Sequence, residues 1–276
     1  MLNNIISVTC NILIVNTVGV DKVRAKKYLG QHFLKSQDIA KQIVDSLTEG
    51  VSEEVLEIGP GMGVLTNYLL NIYGDKLFVI EVDSESVDYL KRNMPISSHN
   101  IIEGDFLKYD LENKFKSSIS IIGNFPYNIS NQILFKLIDN RNLIPQLVGM
   151  FQKEVAERVS AKPGSKTYGI LSVLLQTYFT VDYLFTVDAS VFNPPPKVQS
   201  AVIKVVRNNT KVIPCNEKLY FRVIKTAFNQ RRKTLSNSLK SILLNLKPKD
   251  DIFRKRPEQL SVEEFIELTN IIDKLL

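Results

Sequence analysis

Val55-Leu56-Glu57-Ile58-Gly59-Pro60-Gly61-Met62-Gly63 is the stretch on which the reading of this chain turns. Val55 to Ile58 is short and mostly apolar, as expected of a parallel strand covered on both faces. Val64-Leu65-Thr66-Asn67-Tyr68-Leu69-Leu70, on the far side of the glycines, is helical in character. The order strand, glycine turn, helix lets the backbone approach a ligand closely and offers it the unpaired amides of a helix N-terminus. The spacing is G-x-G-x-G, not the G-x-G-x-x-G that cradles a dinucleotide pyrophosphate, so a Rossmann dehydrogenase is disfavoured.

The next strand ends repeat the theme. Leu77-Phe78-Val79-Ile80 ends in Glu81, placed 22 residues after Gly59, where a carboxylate can accept both hydroxyls of a ribose. Ile101-Ile102-Glu103-Gly104 ends in Asp105-Phe106, an acid beside an aromatic ring, suited to binding the amino group of an adenine and covering its face. One such acid alone is more often a solvated loop residue. Polar ligand groups at three successive strand ends point to a nucleoside-containing ligand at the carboxyl edge of the sheet.

A fourth apolar run, Ile119-Ser120-Ile121-Ile122, is followed by Gly123, read as releasing the chain at the strand end, and then by Asn124-Phe125-Pro126-Tyr127. Pro126 disfavours the helical region for Phe125, which can aim the Phe125 carbonyl beside the Asn124 amide oxygen. Two convergent acceptors suit an exocyclic amine on a base, and Tyr127 can stack on that base. Taken alone, the tetrapeptide reads equally well as an ordinary strand-to-helix turn.

Together these pieces resemble a class I S-adenosylmethionine-dependent methyltransferase, and the Asn-Phe-Pro-Tyr step resembles the N/D-P-P-Y/F step of amino-methyltransferases acting on nucleic acid bases. Five stretches, Lys26 to Leu34 (KKYLGQHFL), Glu57 to Gly61, Asn124 to Ser130 (NFPYNIS), Val191 to Ser200 (VFNPPPKVQS) and Phe228 to Leu239 (FNQRRKTLSNSL), look in this order like signatures of the KsgA-type ribosomal RNA adenine dimethyltransferases. They span residues from about 24 to 270. The resemblance implies an α/β fold, a Rossmann-like seven-stranded methyltransferase sheet with a small all-α C-terminal domain. It implies cofactor contacts from His32, Leu34, Gly59, Gly61, Glu81, Asp105, Phe106 and Asn124, and catalytic roles for Asn124, Phe125, Pro126, Tyr127 and Phe192. For Phe192 two roles stay open, closing the second face of the target base or anchoring the core beside a rigid turn. Two departures stand out: His32 where many relatives carry Asn, and Phe125 where many carry Leu.

The activity so implied is transfer of methyl groups to N6 of two adjacent adenines in the 3′-terminal hairpin loop of small-subunit ribosomal RNA, in a pre-30S particle in the cytoplasm, by a monomer. Alternatives are the related large-subunit adenine methyltransferases of the macrolide-resistance type, disfavoured by the Pro-Pro-Pro loop and the Phe228 to Leu239 helix, and an assembly factor without turnover, disfavoured by intact Gly59, Glu81, Asp105 and Asn124. A paired or stacked base cannot enter such a site, so the target must be single-stranded or flipped.

Charge agrees with a polyanionic partner. Net charge is +6, and residues 207–256 hold 14 Lys or Arg against 3 acids, a net +11, leaving −5 for the rest. With the methyltransferase motifs, phosphate contact through Arg231, Arg232 and Lys233 explains that excess better than a solvated helical face; packing of the arginine stems between the domains stays open. Two cysteines, Cys10 and Cys215, and two histidines, His32 and His99, form no C-x-x-C, zinc or nucleophile pattern, so no metal is expected.

Residues 1–20 fall outside the resemblance and read as an extension, disordered or preceding the true start. Asparagines interrupt their apolar run, there is no positive leading segment, and no stretch of about 20 uninterrupted apolar residues exists to span a bilayer. Periodicity becomes helical around Pro214 and stays so, which marks a domain boundary at about 208; the resemblance implies that 21–207 is the catalytic domain and 208–276 a helical RNA- or ribosome-binding domain. Helices are expected over Asp38 to Leu47, Gln132 to Ile138, about Gly169 to Tyr178 and Val262 to Leu276. Gln146 to Phe151, Tyr183 to Val187 and Ala201 to Val206 read as further strands.

Overall fold

The computed structural model describes residues 23–276 apart from 245 and 247. The reading of residues 1–20 lies outside the described residues.

In chain order the elements are β1 (Phe33–Leu34), α1 (Gln37–Asp45), β2 (Glu54–Ile58), α2 (Thr66–Tyr73), β3 (Leu77–Glu81), α3 (Ser84–Asn93), β4 (Ile101–Glu103), α4 (Leu111–Lys114), β5 (Ile119–Asn124), α5 (Ser130–Asp139), β6 (Gln146–Gln152), α6 (Lys153–Val159), α7 (Ile170–Tyr178), β7 (Phe179–Val187), β8 (Phe192–Asn193) and β9 (Ser200–Arg207). After Arg207 the chain continues as α8 (Glu217–Asn229), α9 (Leu235–Ser238), α10 (Lys240–Leu243) and α11 (Val262–Leu275), with short 3-10 turns between them. Seven strands form one sheet in the order β4-β3-β2-β5-β6-β9-β7. The pairs from β4 to β6 are parallel, and β9 then runs antiparallel to both β6 and β7. This is the seven-stranded sheet that the resemblance implies.

The strand sequences explain the arrangement. Val55, Leu56 and Ile58 of β2 and Ile119, Ile121 and Ile122 of β5 are all buried, because helices cover both faces. One apolar layer joins α1, α2 and α3 to Val55, Leu77 and Val79; the other joins α5, α6 and α7 to Ile58, Ile119 and Ile121. The second layer continues without a break into the C-terminal helices. Tyr220, Val223 and Ile224 of α8 and Phe265 and Leu268 of α11 share it with Leu174 and Tyr178 of α7. The buried Tyr220 hydroxyl pairs with Thr177 Oγ1 at 2.8 Å, so its polar end does not go unsatisfied inside that core.

The two-residue strands β1 and β8 pair with each other, Leu34 opposite Phe192 and Phe33 opposite Asn193. This small ribbon ties the N-terminal segment to the Phe-Asn-Pro-Pro-Pro loop, next to the carboxyl edge of the main sheet.

Gly123 does not release the chain. It lies inside β5, directly opposite Gly149 of β6, and the Phe125 ring lies across both. A Cβ at Gly149 would sit 2.1 Å from Phe125 Cε2, and one at Gly123 would sit 2.7 Å from Phe125 Cε1. Two glycines in register therefore make the slot for the ring, which is 1% exposed and packs on Phe151 with centroids 4.9 Å apart. Glycine inside a strand here marks a close approach, not a strand end.

Candidate active site

The carboxyl ends of β2, β3 and β5 meet the segment before β1 around a cleft. His32, Gly59, Gly61, Glu81, Asn124, Phe125, Pro126 and Tyr127 line it together with Phe33 and the turn at Gly30. Leu34, Asp105, Phe106 and Phe192 do not. Asp105 sits one strand over from Glu81, since the Gly104 amide donates to the Glu81 carbonyl at 2.8 Å, and its side chain caps the Leu107 amide at 2.9 Å. Leu34, Phe106 and Phe192 are core side chains, 3%, 5% and 1% exposed. Of the two roles open for Phe192, this conformation shows the core anchor: its ring packs in the layer of Leu34, Ile43 and Val44, because pairing of β8 with β1 turns it inward.

Gly59 and Gly61 carry φ of +67° and +56°, which an L side chain adopts only under strain. Gly61 is also crowded, since a Cβ there would meet Phe33 Cε1 at 2.9 Å. Glu81 holds the loop in place. Its Oε2 accepts the Gly61 amide at 3.2 Å, and Oε1 accepts the amides of Val82 and Asp83 at 2.9 and 3.0 Å. Burial pushes the Glu81 carboxyl above its ordinary range, and those three N–H donors work against that rise.

Behind the glycine loop lies Glu57, an acid not singled out by sequence reasoning. It is 2% exposed, accepts the Thr66 hydroxyl at 2.6 Å, and is pushed up to about 8, chiefly by burial. Its apolar strand context carried a signal: an acid inside a β2 otherwise buried on both faces must be neutral or paired.

Asn124 ends β5. Its Nδ2 donates to the His32 carbonyl at 2.9 Å. A carbonyl only accepts, so the amide nitrogen must face His32 and the amide oxygen Oδ1 is turned the other way. Among the described residues no donor reaches Asn124 Oδ1 or the Phe125 carbonyl, while the Phe125 amide is used by the Met150 carbonyl at 3.1 Å. Two acceptors therefore stand unused at the cleft. Tyr127 lies beside them with its hydroxyl bonded to Ser200 Oγ at 2.5 Å, and its ring stands 5.4 Å from that of His32, tilted by 30°. His32 Nδ1 donates to the Pro194 carbonyl at 2.7 Å, so the imidazole joins the Pro-Pro-Pro loop to the cleft.

The basic triplet divides. Arg231 Nη2 donates to the Ser165 carbonyl at 3.0 Å and its Nε stands 4.0 Å from Glu258, so this side chain bridges the loop at Ser165 and the C-terminal helices. Arg232 and Lys233 are exposed.

Compared with known proteins, the chain matches the family model described as ribosomal RNA adenine dimethylase over residues 22–274. The chain belongs to that family. It is an S-adenosylmethionine-dependent ribosomal RNA adenine dimethyltransferase. Proteins named ribosomal RNA small subunit methyltransferase A from Cytophaga hutchinsonii and Flavobacterium johnsoniae are each 58% identical to it, covering 92% of this chain and 99% and 98% of their own. Among solved structures, a dimethyladenosine transferase from Plasmodium falciparum superimposes with a TM-score of 0.75 at 28% identity, covering 88% of this chain and 98% of that one. The 23S rRNA methyltransferase ErmE superimposes at 0.63 with 21% identity, covering 86% and 99%, and shares the fold. No helix among the described residues is long and apolar enough to cross a membrane.

Proposed function

We propose that this enzyme dimethylates N6 of two adjacent adenines in the 3′-terminal hairpin loop of small-subunit ribosomal RNA, acting as a monomer on a pre-30S particle in the cytoplasm. The small-subunit names of relatives 58% identical over 92% of the chain support the choice of RNA. The single observation that carries the chemistry is the Asn124 amide, whose nitrogen is bonded to the His32 carbonyl and whose oxygen is unused beside the equally unused Phe125 carbonyl.

The donor and acceptor set fits S-adenosylmethionine. Glu81 offers a charged acceptor for ribose hydroxyls, Gly59 and Gly61 put no Cβ of their own between the turn's backbone and a ligand, and Asp105 stands at the neighbouring strand end for the adenine amino group, with the Phe106 ring held in the core behind it. His32 and Leu34 would contribute through their backbone, together with Asn124, at the methionine end. When bound, the cofactor supplies an already electrophilic sulfonium methyl, so no strong acid or base is needed from the protein.

The chain's own residues hold the acceptor amine. Adenine N6 is a weak nucleophile because its lone pair is conjugated with the ring. Acceptance of its two N–H groups by Asn124 Oδ1 and the Phe125 carbonyl favours a more tetrahedral nitrogen and stabilises the positive charge that grows on it. Pro126 holds Phe125 extended so that its carbonyl can take part, and Tyr127 stacks on the base. Phe192 supports this edge from the core through the β1–β8 ribbon. Residues 21–207 act as the catalytic domain and 208–276 as the RNA- or ribosome-binding domain, with Arg232 and Lys233 on phosphates and Arg231 joining the two parts.

The test is to incubate undermethylated small subunits with protein and cofactor and map adenine methylation by primer extension and mass spectrometry. Two adjacent dimethylated adenines in the terminal hairpin of small-subunit RNA are expected. Methylation confined to large-subunit RNA, or none, overturns the proposal.

A further inference from the structure

The residues from Lys26 to Leu34 cross the mouth of the cleft, and five of them, Leu29 to Phe33, line it. What fastens this strap is Asp83. Its carboxylate is buried, with no exposed side-chain surface, yet it does not line the cleft. Four protein groups donate to it. Lys26 Nζ donates to Oδ1 and Gln31 Nε2 donates to Oδ2 at 3.1 Å, while the Glu85 amide and the Ser86 hydroxyl, at 3.2 and 3.3 Å, use it as the N-cap of α3. The strap is also closed on itself, because Gln31 Oε1 accepts the Lys26 amide at 2.9 Å.

Both ends of the reaction hang from this point. Asp83 follows Glu81 by two residues and gives its amide to the Glu81 carboxylate at 3.0 Å, which fixes the acid proposed for the ribose. One residue beyond Gln31, the His32 carbonyl takes the Asn124 amide hydrogen at 2.9 Å and so turns Oδ1 toward the amine. One further on, Phe33 lies over Gly61. The strap has little freedom between these contacts: Gly30, at φ +67°, is seated so closely on Asn128 that a Cβ would meet its Oδ1 at 2.6 Å. Burial works most strongly against the Asp83 charge, but the hydrogen bonds from Lys26, Gln31 and the Glu85 amide, with the charge of Lys26, together outweigh it and leave the carboxyl below its usual range.

We propose that Lys26, Gln31 and Asp83 form a latch of positioning residues that holds the strap over the cofactor and, through the His32 carbonyl, aims the Asn124 acceptor at the target amine. The proposal rests on the roles assigned above to Glu81 and Asn124. Lys26 and Asp83 do not line the cleft, and Gln31, which does, has its side-chain amide engaged by Asp83 and the Lys26 amide. The latch couples two sites that would otherwise be independent: loosening it weakens the hold on the cofactor and lets Asn124 swing.

The experiment compares Lys26→Met, Asp83→Asn and Lys26→Arg with wild type, Glu81→Ala and Asn124→Ala, measuring calorimetric affinity for S-adenosylmethionine, single-turnover methyl transfer at saturating cofactor, and thermal midpoint. Asp83→Asn keeps an N-cap side chain, so it removes the charge with little harm to α3. Lys26→Met and Asp83→Asn are each expected to weaken cofactor binding about tenfold, the scale of one charge-assisted hydrogen bond, and to slow transfer at saturation by a similar factor. Lys26→Arg should recover most of both. Loss of thermal stability with affinity and saturated rate unchanged would mean a purely structural contact and overturn the latch. So would wild-type behaviour of both variants while Glu81→Ala and Asn124→Ala remain impaired, which leaves the site reading standing. If Glu81→Ala and Asn124→Ala also behave as wild type, the site reading fails and the latch fails with it.

Discussion

Gly149→Ala places one methyl group against the wall of the active site. The new Cβ would stand 2.1 Å from Phe125 Cε2 and 2.8 Å from Cδ2 and Cζ, whereas ordinary contact begins near 3.4 Å. The ring must move by more than an ångström, and it has nowhere easy to go, since it is 1% exposed and pressed on Phe151. Overpacking of this kind costs roughly 1 to 3 kcal/mol. At about 2 to 4 °C per kcal/mol for a chain of this size, the thermal midpoint should fall by roughly 2 to 12 °C. The displacement also drags the Phe125 carbonyl and the adjoining Asn124, so methyl transfer at saturating substrates should slow even well below the melting temperature. The assay is a double-mutant cycle with Phe125→Leu, which removes Cε2 and Cζ. The clash then largely disappears, and the two substitutions together should be more stable than the sum of their separate effects predicts by about 0.5 to 3 kcal/mol. Strict additivity, with Gly149→Ala retaining full activity, would refute the claim that the glycine pair exists to seat the ring.

Asn124→Ala removes one of the two acceptors and should reduce methyl transfer by about 10² to 10³ while changing cofactor affinity little; wild-type turnover in a single-turnover assay excludes it from the mechanism. Glu81→Ala should weaken S-adenosylmethionine binding by about 1 to 3 kcal/mol, because a charged acceptor is removed and buried amides are left open; an unchanged calorimetric dissociation constant places Glu81 outside the cofactor site. Replacing Arg232 and Lys233 together by Ala should lower RNA affinity and reduce the salt slope by about 0.7 to 0.9 for each phosphate no longer neutralised, with the thermal midpoint kept. Arg231→Ala should instead lower the midpoint, and the reverse pattern would contradict this division. Glu57, pushed up to about 8 by burial, binds its proton more tightly folded than unfolded, so its contribution to stability is full below its unfolded pKa near 4.5 and is lost as pH rises toward 8. Glu57→Gln should therefore gain on wild type with increasing pH across that window, by up to about 1 kcal/mol per pH unit. Parallel melting curves of the two proteins from pH 5 to 8 would show that Glu57 does not titrate there.

The sheet and its ligand edge were legible in the chain alone. Short, mostly apolar runs that end in Gly59, Glu81 and Asn124, bounded by glycine or polar residues, read as strands buried on both faces, and their polar ends then gather at one edge. Local chemistry drew attention to Asn124-Phe125-Pro126-Tyr127, because proline acts on its immediate neighbour, but alone it read equally well as a turn, and only the motifs around it favoured a site. Other features depend on residues far apart in the chain and left no local signature. The two-residue strands β1 and β8 are too short for any periodicity, so the inward turn of Phe192 followed only from their pairing. Gly123 faces Gly149 across 26 residues, and its role is defined by a ring seated between strands. Arg231 looked like its neighbours until Ser165 and Glu258 were brought against it. Asp83 drew no notice in the sequence; folding buries it beside Lys26 and Gln31, where a carboxylate without those partners would be costly.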